Sequence, residues 1–305
     1  MKKAFYSNGK LLITGEYLVL DGAKALALPT KFGQNLIVET GNSQEISWTS
    51  FDSDGSVWLE ENFSFLDIIQ KNIFQEATSQ RNTLIEILHQ GFLLNPDFLN
   101  QTNGYSISTQ LTFPRNWGLG SSSTLINNIA QWLEIDAFLL LKNSFGGSGY
   151  DIACAQNNTP ILYHLDNDKP IVEKVNFEPE FAKNLYFVYL DKKQSSKAAI
   201  ASYYNNKQEN LAKNITTIDL LTSQVLNSKT ILAFSQALKK HEAEMSTILE
   251  MQTVQEFQFP DFNGVIKSLG AWGGDFVLVV SNDNPTDYFK ERGFKTIISY
   301  EDMIL

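Results

Sequence analysis

The sequence is short of the residues that build disulfides and metal clusters. It has a single cysteine, Cys154, and three histidines in 305 residues. One cysteine excludes an intramolecular disulfide and any thiolate zinc cluster. His89, His164 and His241 share no metal-ligand spacing and read as surface or core residues. Basic residues are also scarce: 24 Lys and Arg face 34 Asp and Glu, for a formal net charge of -10. They form no cluster, which argues against nucleic-acid binding, because phosphate backbones need grouped Lys and Arg. A single bound nucleotide is not excluded, since it responds to the local field rather than to net charge. Apolar runs such as 137–141 fall far short of a membrane span. The opening MKKAFYSNGKLLITGEYLVLDG is interrupted by Thr14, Gly15 and Glu16 and shows no small-residue cleavage site, so no signal peptide is expected. A cytoplasmic protein, binding neither membrane nor nucleic acid, is the expectation.

The composition is globular, with 43% hydrophobic and 19% charged residues, and the length suits two modest domains or one large one. Short β-branched or aromatic runs at 11–13, 17–20, 35–39 and 45–48 read as strands between Gly, Asp and Asn turns. Helical spacing appears over 83–92, and 105–111 alternates as a half-buried strand. Leu125, Ile129 and Leu133 recur every fourth residue, predicting a buried amphipathic helix whose first turn is Ser121-Ser122-Ser123. A strand is expected at 160–164. From 167 to 178 the sequence turns polar and loses periodicity, which places a domain junction there and divides the chain into 1–169 and 170–305. The second part reads as strands at 185–190, 276–280 and 295–299. Its helices are expected at 197–204, 211–226 and 230–251, with a short one after Pro285. Strands alternating with helices give an α+β class.

Four segments carry candidate chemistry. In Gly118-Leu119-Gly120-Ser121-Ser122-Ser123, glycines let backbone amides approach an anion and a helix N-terminus adds unpaired donors, so the segment suits a phosphate cradle. It also reads as a plain glycine-serine turn, and no Lys-Ser or Lys-Thr pair makes it a Walker loop. In Gly146-Gly147-Ser148-Gly149-Tyr150-Asp151, Asp151 could take a proton from a hydroxyl or hold Mg²⁺; it could equally be a helix N-cap. The loop Gly270-Ala271-Trp272-Gly273-Gly274-Asp275 precedes an apolar strand and marks a tight turn or a close backbone approach to a ligand. Lys10, near the first strand, could sit by a phosphate or be simply solvated.

Taken in order, these segments resemble the GHMP kinase superfamily, named for galactokinase, homoserine kinase, mevalonate kinase and phosphomevalonate kinase. GKLLITGEYLVLDGAKALALPT is similar to the opening motif of its mevalonate and phosphomevalonate branch, GLGSSS to its ATP loop, and GSGYDIACA to its catalytic segment. The resemblance covers most of the chain. It implies a ribosomal-protein-S5-like N-terminal domain followed by a ferredoxin-like C-terminal domain. It also implies ATP and Mg²⁺ as cofactors and a small-molecule alcohol or phosphate acceptor such as mevalonate or phosphomevalonate. By the same resemblance, Gly118, Leu119, Gly120, Ser121, Ser122 and Ser123 would wrap the ATP phosphates, with Ser121 near the metal. Asp151 would be the catalytic carboxylate and Lys10 the charge-stabilising cation. Glu16, Tyr17, Ser148, Ser196 and Lys197 would face the acceptor, and Gly270, Gly273 and Gly274 would hold phosphates from the second domain.

The sequence departs from the family pattern in four places. Trp272 stands where the family has glycine and would reshape the phosphate side. Asn116 and Trp117 replace a Lys and an aromatic before the ATP loop. The span from Ser121 to Asp151 is short. The family's acidic metal ligand has no obvious counterpart, leaving Glu134 or Asp136 as substitutes. Two further readings therefore stand beside the kinase: a non-catalytic binding or regulatory protein of the same fold, and a diphosphomevalonate decarboxylase-like enzyme.

Overall fold

The computed structural model describes residues 2–73, 79–100, 102–192, 203–204, 210–272 and 274–305. They divide into two compact units. The first holds residues up to 9, 32–115 and 119–156, and the second holds 10–31, 116–118 and everything from 157. The class is α+β, as expected.

In the first unit the sheet is built from β3 (Glu45–Phe51), β4 (Val57–Ser64), β5 (Tyr105–Leu111) and the later part of β2 (Ala25–Thr40). β2 pairs antiparallel with β5, β5 parallel with β3, and β3 antiparallel with β4. Alternation sets the inward face: Ile46 and Trp48 of β3, Ile107 of β5 and Leu36 and Val38 of β2 are buried. They pack in one cluster with Leu84 and Leu88 of α2 (Ser79–Leu94) and with Ile126, Ile129 and Leu133 of α4 (Ser121–Leu133). The fourfold spacing in α4 thus becomes a core stripe, as its sequence predicts. Left-handed Glu134, with φ of 56°, closes α4, and the Asp136 side chain then caps α5 (Ala137–Ser144) by accepting from the Phe138 N–H at 2.7 Å. β4 was not expected. Its run WLEEN puts Glu60 and Asn62 among its polar residues, so alternation is faint on this edge strand.

In the second unit a four-stranded antiparallel sheet runs β11 (Ile297–Ser299), β8 (Leu185–Tyr189), β10 (Phe276–Val280), β9 (Val265–Ser268). In chain order, among the described residues, β8 is followed by the helices Leu211–Asn227, Ile231–Leu249 and Val254–Gln258, then β9, β10, the Thr286–Glu291 helix, β11 and the Tyr300–Met303 helix. β10 is buried along its whole length, which explains its unbroken FVLVV run.

Two expectations fail in this unit. Residues 17–20 are not a strand: a 3-10 turn covers Leu18–Asp21, bracketed by positive φ at Gly15 and Tyr17 before it and Gly22 after it. Short apolar runs do not distinguish strand from turn, and these left-handed corners decide it. The polar segment after 167 is not a bare junction either. β6 (Ile161–Asp166) and β7 (Lys169–Lys174) form a hairpin whose two-residue loop, Asn167 and Asp168, has φ of 48° and 61°. Positive φ at both loop positions is what a tight hairpin demands, and Asn and Asp tolerate it. The helix expected over 197–204 falls largely outside the described residues.

Candidate functional site

α4 starts where the first glycine loop ends. Gly118 and Gly120 have φ of 71° and 92°, a region costly for residues with a Cβ. Gly120 is the N-cap and offers no side chain to the first-turn amides, so the positive end of a 13-residue helix is left to other acceptors. The serines divide their work. Ser123 Oγ turns back to the Gly120 carbonyl at 2.9 Å. Ser121 and Ser122 line a cavity of about 220 Å³ together with Gln34, Trp48, Trp58 and Leu59.

Behind that cavity lies a seam of uncharged polar groups. Thr124 Oγ1 donates to Gln34 Oε1 at 2.7 Å, and Asn128 Nδ2 to the Gln34 carbonyl at 2.9 Å. Ser7 Oγ donates to Asn128 Oδ1 and accepts from Asn127 Nδ2, each at 2.8 Å. Gln156 Nε2 donates to Asn127 Oδ1 at 3.1 Å. Ser7, Asn127 and Asn128 are buried. A pair of asparagines amid the apolar stripe of α4 was the sequence signal for this seam.

Asp151 lies in the first turn of α6 (Tyr150–Gln156), the helix that Gln156 ends. The Ala153 N–H already donates to the Gly149 carbonyl at 3.1 Å, so Asp151 is inside the helix and is not its N-cap. Gly146, Gly147 and Gly149 have φ of 74°, 99° and 91°, and a Cβ on Gly146 or Gly147 would meet nothing within 4 Å. Ser148 between them is buried. Cys154 is also buried, as a small apolar residue would be. Glu134 does not join Ser121. The two sit at opposite ends of α4, about 20 Å apart at 1.5 Å rise per residue, so they cannot share one metal ion. Asp136 is spent on the α5 cap. No group of three or more His, Cys, Asp or Glu able to hold a metal occurs among the described residues.

In the second unit Lys10 reaches the start of the glycine loop, its Nζ donating to the Gly118 carbonyl at 3.2 Å. Gly118 is required there for space as well as dihedral, because a Cβ would overlap the Asp275 carboxylate. Tyr189 Oη donates to the Asn116 carbonyl at 2.9 Å, and the Trp117 ring meets Phe276 edge-on at 5.5 Å. Asn116 and Trp117 thus anchor the segment rather than present a cation.

The third loop corrects an expectation. Gly270 has φ of 61°, but the Trp272 side chain does not reshape a phosphate surface. It is buried with Tyr17, Tyr203, Ile218 and Met245, and its backbone N–H donates to Tyr17 Oη at 3.1 Å. Gly274 is buried, and Gly273 lies outside the described residues, as do Ser196 and Lys197.

Glu16 and Tyr17 are both buried. Tyr17 stacks on Tyr203 at 5.7 Å between ring centroids, and Glu16 is fully buried beside Lys267. Lys267 Nζ also lies 3.2 Å from Glu242, and Glu16 lies 3.6 Å from His241 Nε2, which accepts the Gly15 N–H at 3.1 Å. Burial pushes the Glu16 carboxyl up to about 7, although Lys267 pulls it down. Burial holds His241 well below its ordinary value, with the Lys267 charge acting the same way. Burial also disfavours the Lys267 ammonium, but the Glu16 and Glu242 carboxylates outweigh it and its pKa is raised. Sequence reasoning missed this cluster; its signal was a lysine inside the apolar run VIKSL.

No family model matches the sequence, and no curated protein matches it at sequence level. Solved structures do. A mevalonate kinase from Methanococcus jannaschii superposes with a TM-score of 0.70 at 19% identity, covering 97% of this chain and 96% of the other. The Streptococcus pneumoniae phosphomevalonate kinase, solved with phosphomevalonate and AMPPNP, gives 0.69 at 16% identity, with 97% and 99% covered. The Lactococcus lactis galactokinase, solved with galactose, gives 0.66 at 11%, with 95% and 88% covered. The fold is that of the GHMP kinases. The GHMP-kinase fold accounts for nearly the whole chain, and no helix among the described residues is long and apolar enough to cross a membrane.

Proposed function

We propose that the chain is an ATP- and Mg²⁺-dependent small-molecule kinase that transfers the γ-phosphoryl group to an alcohol or phosphate acceptor of the mevalonate or phosphomevalonate kind. The observation that carries this reading is the start of α4, where Ser121 and Ser122 follow an N-cap glycine that gives the first-turn amides no side-chain cap and line a cavity walled by Trp48 and Trp58. Amides at a helix N-terminus suit phosphates, and flat aromatic walls suit a nucleobase. The residues therefore fit ATP. The strand order of the four-stranded sheet supports a ferredoxin-like assignment for the chain from residue 185 onward, whereas a boundary between 169 and 170 would cut β7 of the hairpin.

In this reading Gly118 to Ser123 receive the phosphates, helped by Gly270, Gly273 and Gly274. Ser121 is the hydroxyl available to Mg²⁺, an ion that would neutralise charge on the phosphate oxygens. Phosphoryl transfer asks mostly for in-line placement and charge neutralisation. An alcohol is too weak an acid to ionise beforehand, so Asp151 accepts its proton as the O–P bond forms, and Lys10 opposes the negative charge that develops. Ser148, Ser196 and Lys197 contact the acceptor.

The test is ATP consumption by purified protein against mevalonate, phosphomevalonate, homoserine and sugars. Turnover with one acceptor is the expected result; absence of turnover with all of them overturns the kinase, and absence of Mg-ATP binding as well favours a non-nucleotide binding protein. Release of CO₂ from diphosphomevalonate would indicate the decarboxylase instead. Asp151→Asn should lower kcat by about 10²–10⁴-fold while leaving the ATP dissociation constant nearly unchanged; a fully active variant removes Asp151 from the mechanism.

A further inference from the structure

The mid-helix asparagines of α4 are the feature that the kinase reading leaves unexplained. Asparagine is a poor helix former, and burying its amide is costly unless every polar atom is paired. Yet Asn127 and Asn128 occupy consecutive buried positions flanked by Ile126 and Ile129, where aliphatic residues would pack at no such cost. Both polar atoms of each side chain are engaged, and the Ser7 hydroxyl joins them. A seam satisfied in this way specifies one arrangement of the elements it ties, where an apolar contact would tolerate sliding.

The geometry points to Asn127 as a positioning residue that fixes α6, and with it Asp151, relative to the serine turn of α4. The path is continuous. Gln34, in the cavity wall, holds Thr124 one turn into α4 and receives Asn128 on its carbonyl; Ser7 bridges Asn128 to Asn127; Asn127 receives Gln156 of α6. Asn127 is the hydrogen-bonded link between the two helices, which also pack through Ile152 against Ile126 and Ile129: one face of its amide is committed to β1 (Lys2–Leu12) through Ser7, the other to α6. Asp151 stands five residues before Gln156 in the same short helix, so any rotation of α6 that Gln156 permits moves the Asp151 carboxylate too. The proposal rests on the kinase reading in one respect, namely that the place of Asp151 matters for turnover.

Asn127→Leu, Gln156→Leu and the double variant test it by two independent readouts. The first is amide hydrogen exchange over 150–156 compared with 121–133. Each single variant should accelerate exchange in 150–156 more than in 121–133, and the double variant should add little to Asn127→Leu, because that substitution already cuts the link that Gln156→Leu removes. The second readout is steady-state kinetics. Misplacement of about 1 Å costs on the order of 10²-fold, so kcat should fall by about ten- to a hundredfold, with the ATP dissociation constant shifted less than about threefold. Unchanged exchange over 150–156 in a folded variant, or strictly additive effects of the two substitutions, overturns the proposal. So does a variant whose exchange accelerates while kcat stays at the parent level. If Asn127→Leu fails to fold, Gln156→Leu, at an exposed position, carries the same test alone. Should the parent protein turn over no acceptor, the kinase reading fails, and the exchange arm by itself decides whether Asn127 holds α6.

Discussion

Two buried polar clusters, one in each unit, solve the same problem in opposite ways. The seam around Ser7, Asn127 and Asn128 is neutral, and its amide atoms are all paired. The cluster of Glu16, Lys267, Glu242 and His241 is ionic, and one lysine must serve two carboxylates. Glu16 Oε2 and His241 Nδ1 have no hydrogen-bond partner among the described residues. The neutral seam is indifferent to pH, whereas the ionic cluster has its charge state set by burial. Buried amides therefore fix geometry, and buried charges make stability conditional on the solution.

The largest effect should come from Lys267→Met. Removing the ammonium leaves two buried carboxylates facing each other, a loss of about 3–5 kcal/mol, and thermal unfolding should show a much lower Tm. A variant with parent stability would mean that the lysine is not needed to hold this cluster in the core. Next comes pH. The Glu16 carboxyl is raised from 4.5 to about 7 in the folded chain, so between these values the folded state binds more protons than the unfolded one. Its contribution is present at low pH and is lost as pH rises through that window, by about 3 kcal/mol in all. His241, held below its ordinary value, acts oppositely and loses stability as pH falls below about 6.5. Urea unfolding of the parent and of Glu16→Gln should isolate the Glu16 part: the stability difference should move in favour of the glutamine variant as pH rises from 4.5 to 7. A difference that stays flat with pH breaks the contrast between the clusters. The smallest effect is expected for Ser7→Ala, which strands Asn128 Oδ1 and costs about 1–3 kcal/mol. That cost should be the same at pH 5 and pH 8, and a pH-dependent cost would show that the seam is not neutral in its behaviour.

The parts of this fold that depend on neighbouring residues were legible. The stripe of Leu125, Ile129 and Leu133, the glycine loop ahead of it and the apolar run of β10 all state their conformation within a turn or two of chain. Tyr17 to Leu20 did not, since four apolar residues fit a strand as well as a 3-10 turn until the positive φ of Tyr17 and Gly22 is known. Of the candidate site, the serine turn at the start of α4 was legible as the first turn of a helix, while the approach of Lys10 to the Gly118 carbonyl was not, since 108 positions separate the two. Nor were the seam and the ionic cluster, because Ser7 meets Asn128 across 121 positions and Lys267 meets Glu16 across 251. No periodicity encodes such meetings. The pairing of Glu16 was hidden for the same reason: its partner Lys267 lies in β9, far along the chain.

The glycines ahead of Asp151 can be asked a different question from Gly118. Gly118 is hemmed in by Asp275, so any added atom is unwelcome there. Gly146 and Gly147 have open space around the missing Cβ and φ of 74° and 99°. What these two positions select is handedness. A D-alanine introduced by chemical ligation prefers those dihedrals as L-alanine prefers their mirror image, so D-alanine should be tolerated where L-alanine strains the loop. The turn that delivers Asp151 is thus a stretch of chain in which mirror-image chemistry, not smaller or larger side chains, is the natural way to stiffen it.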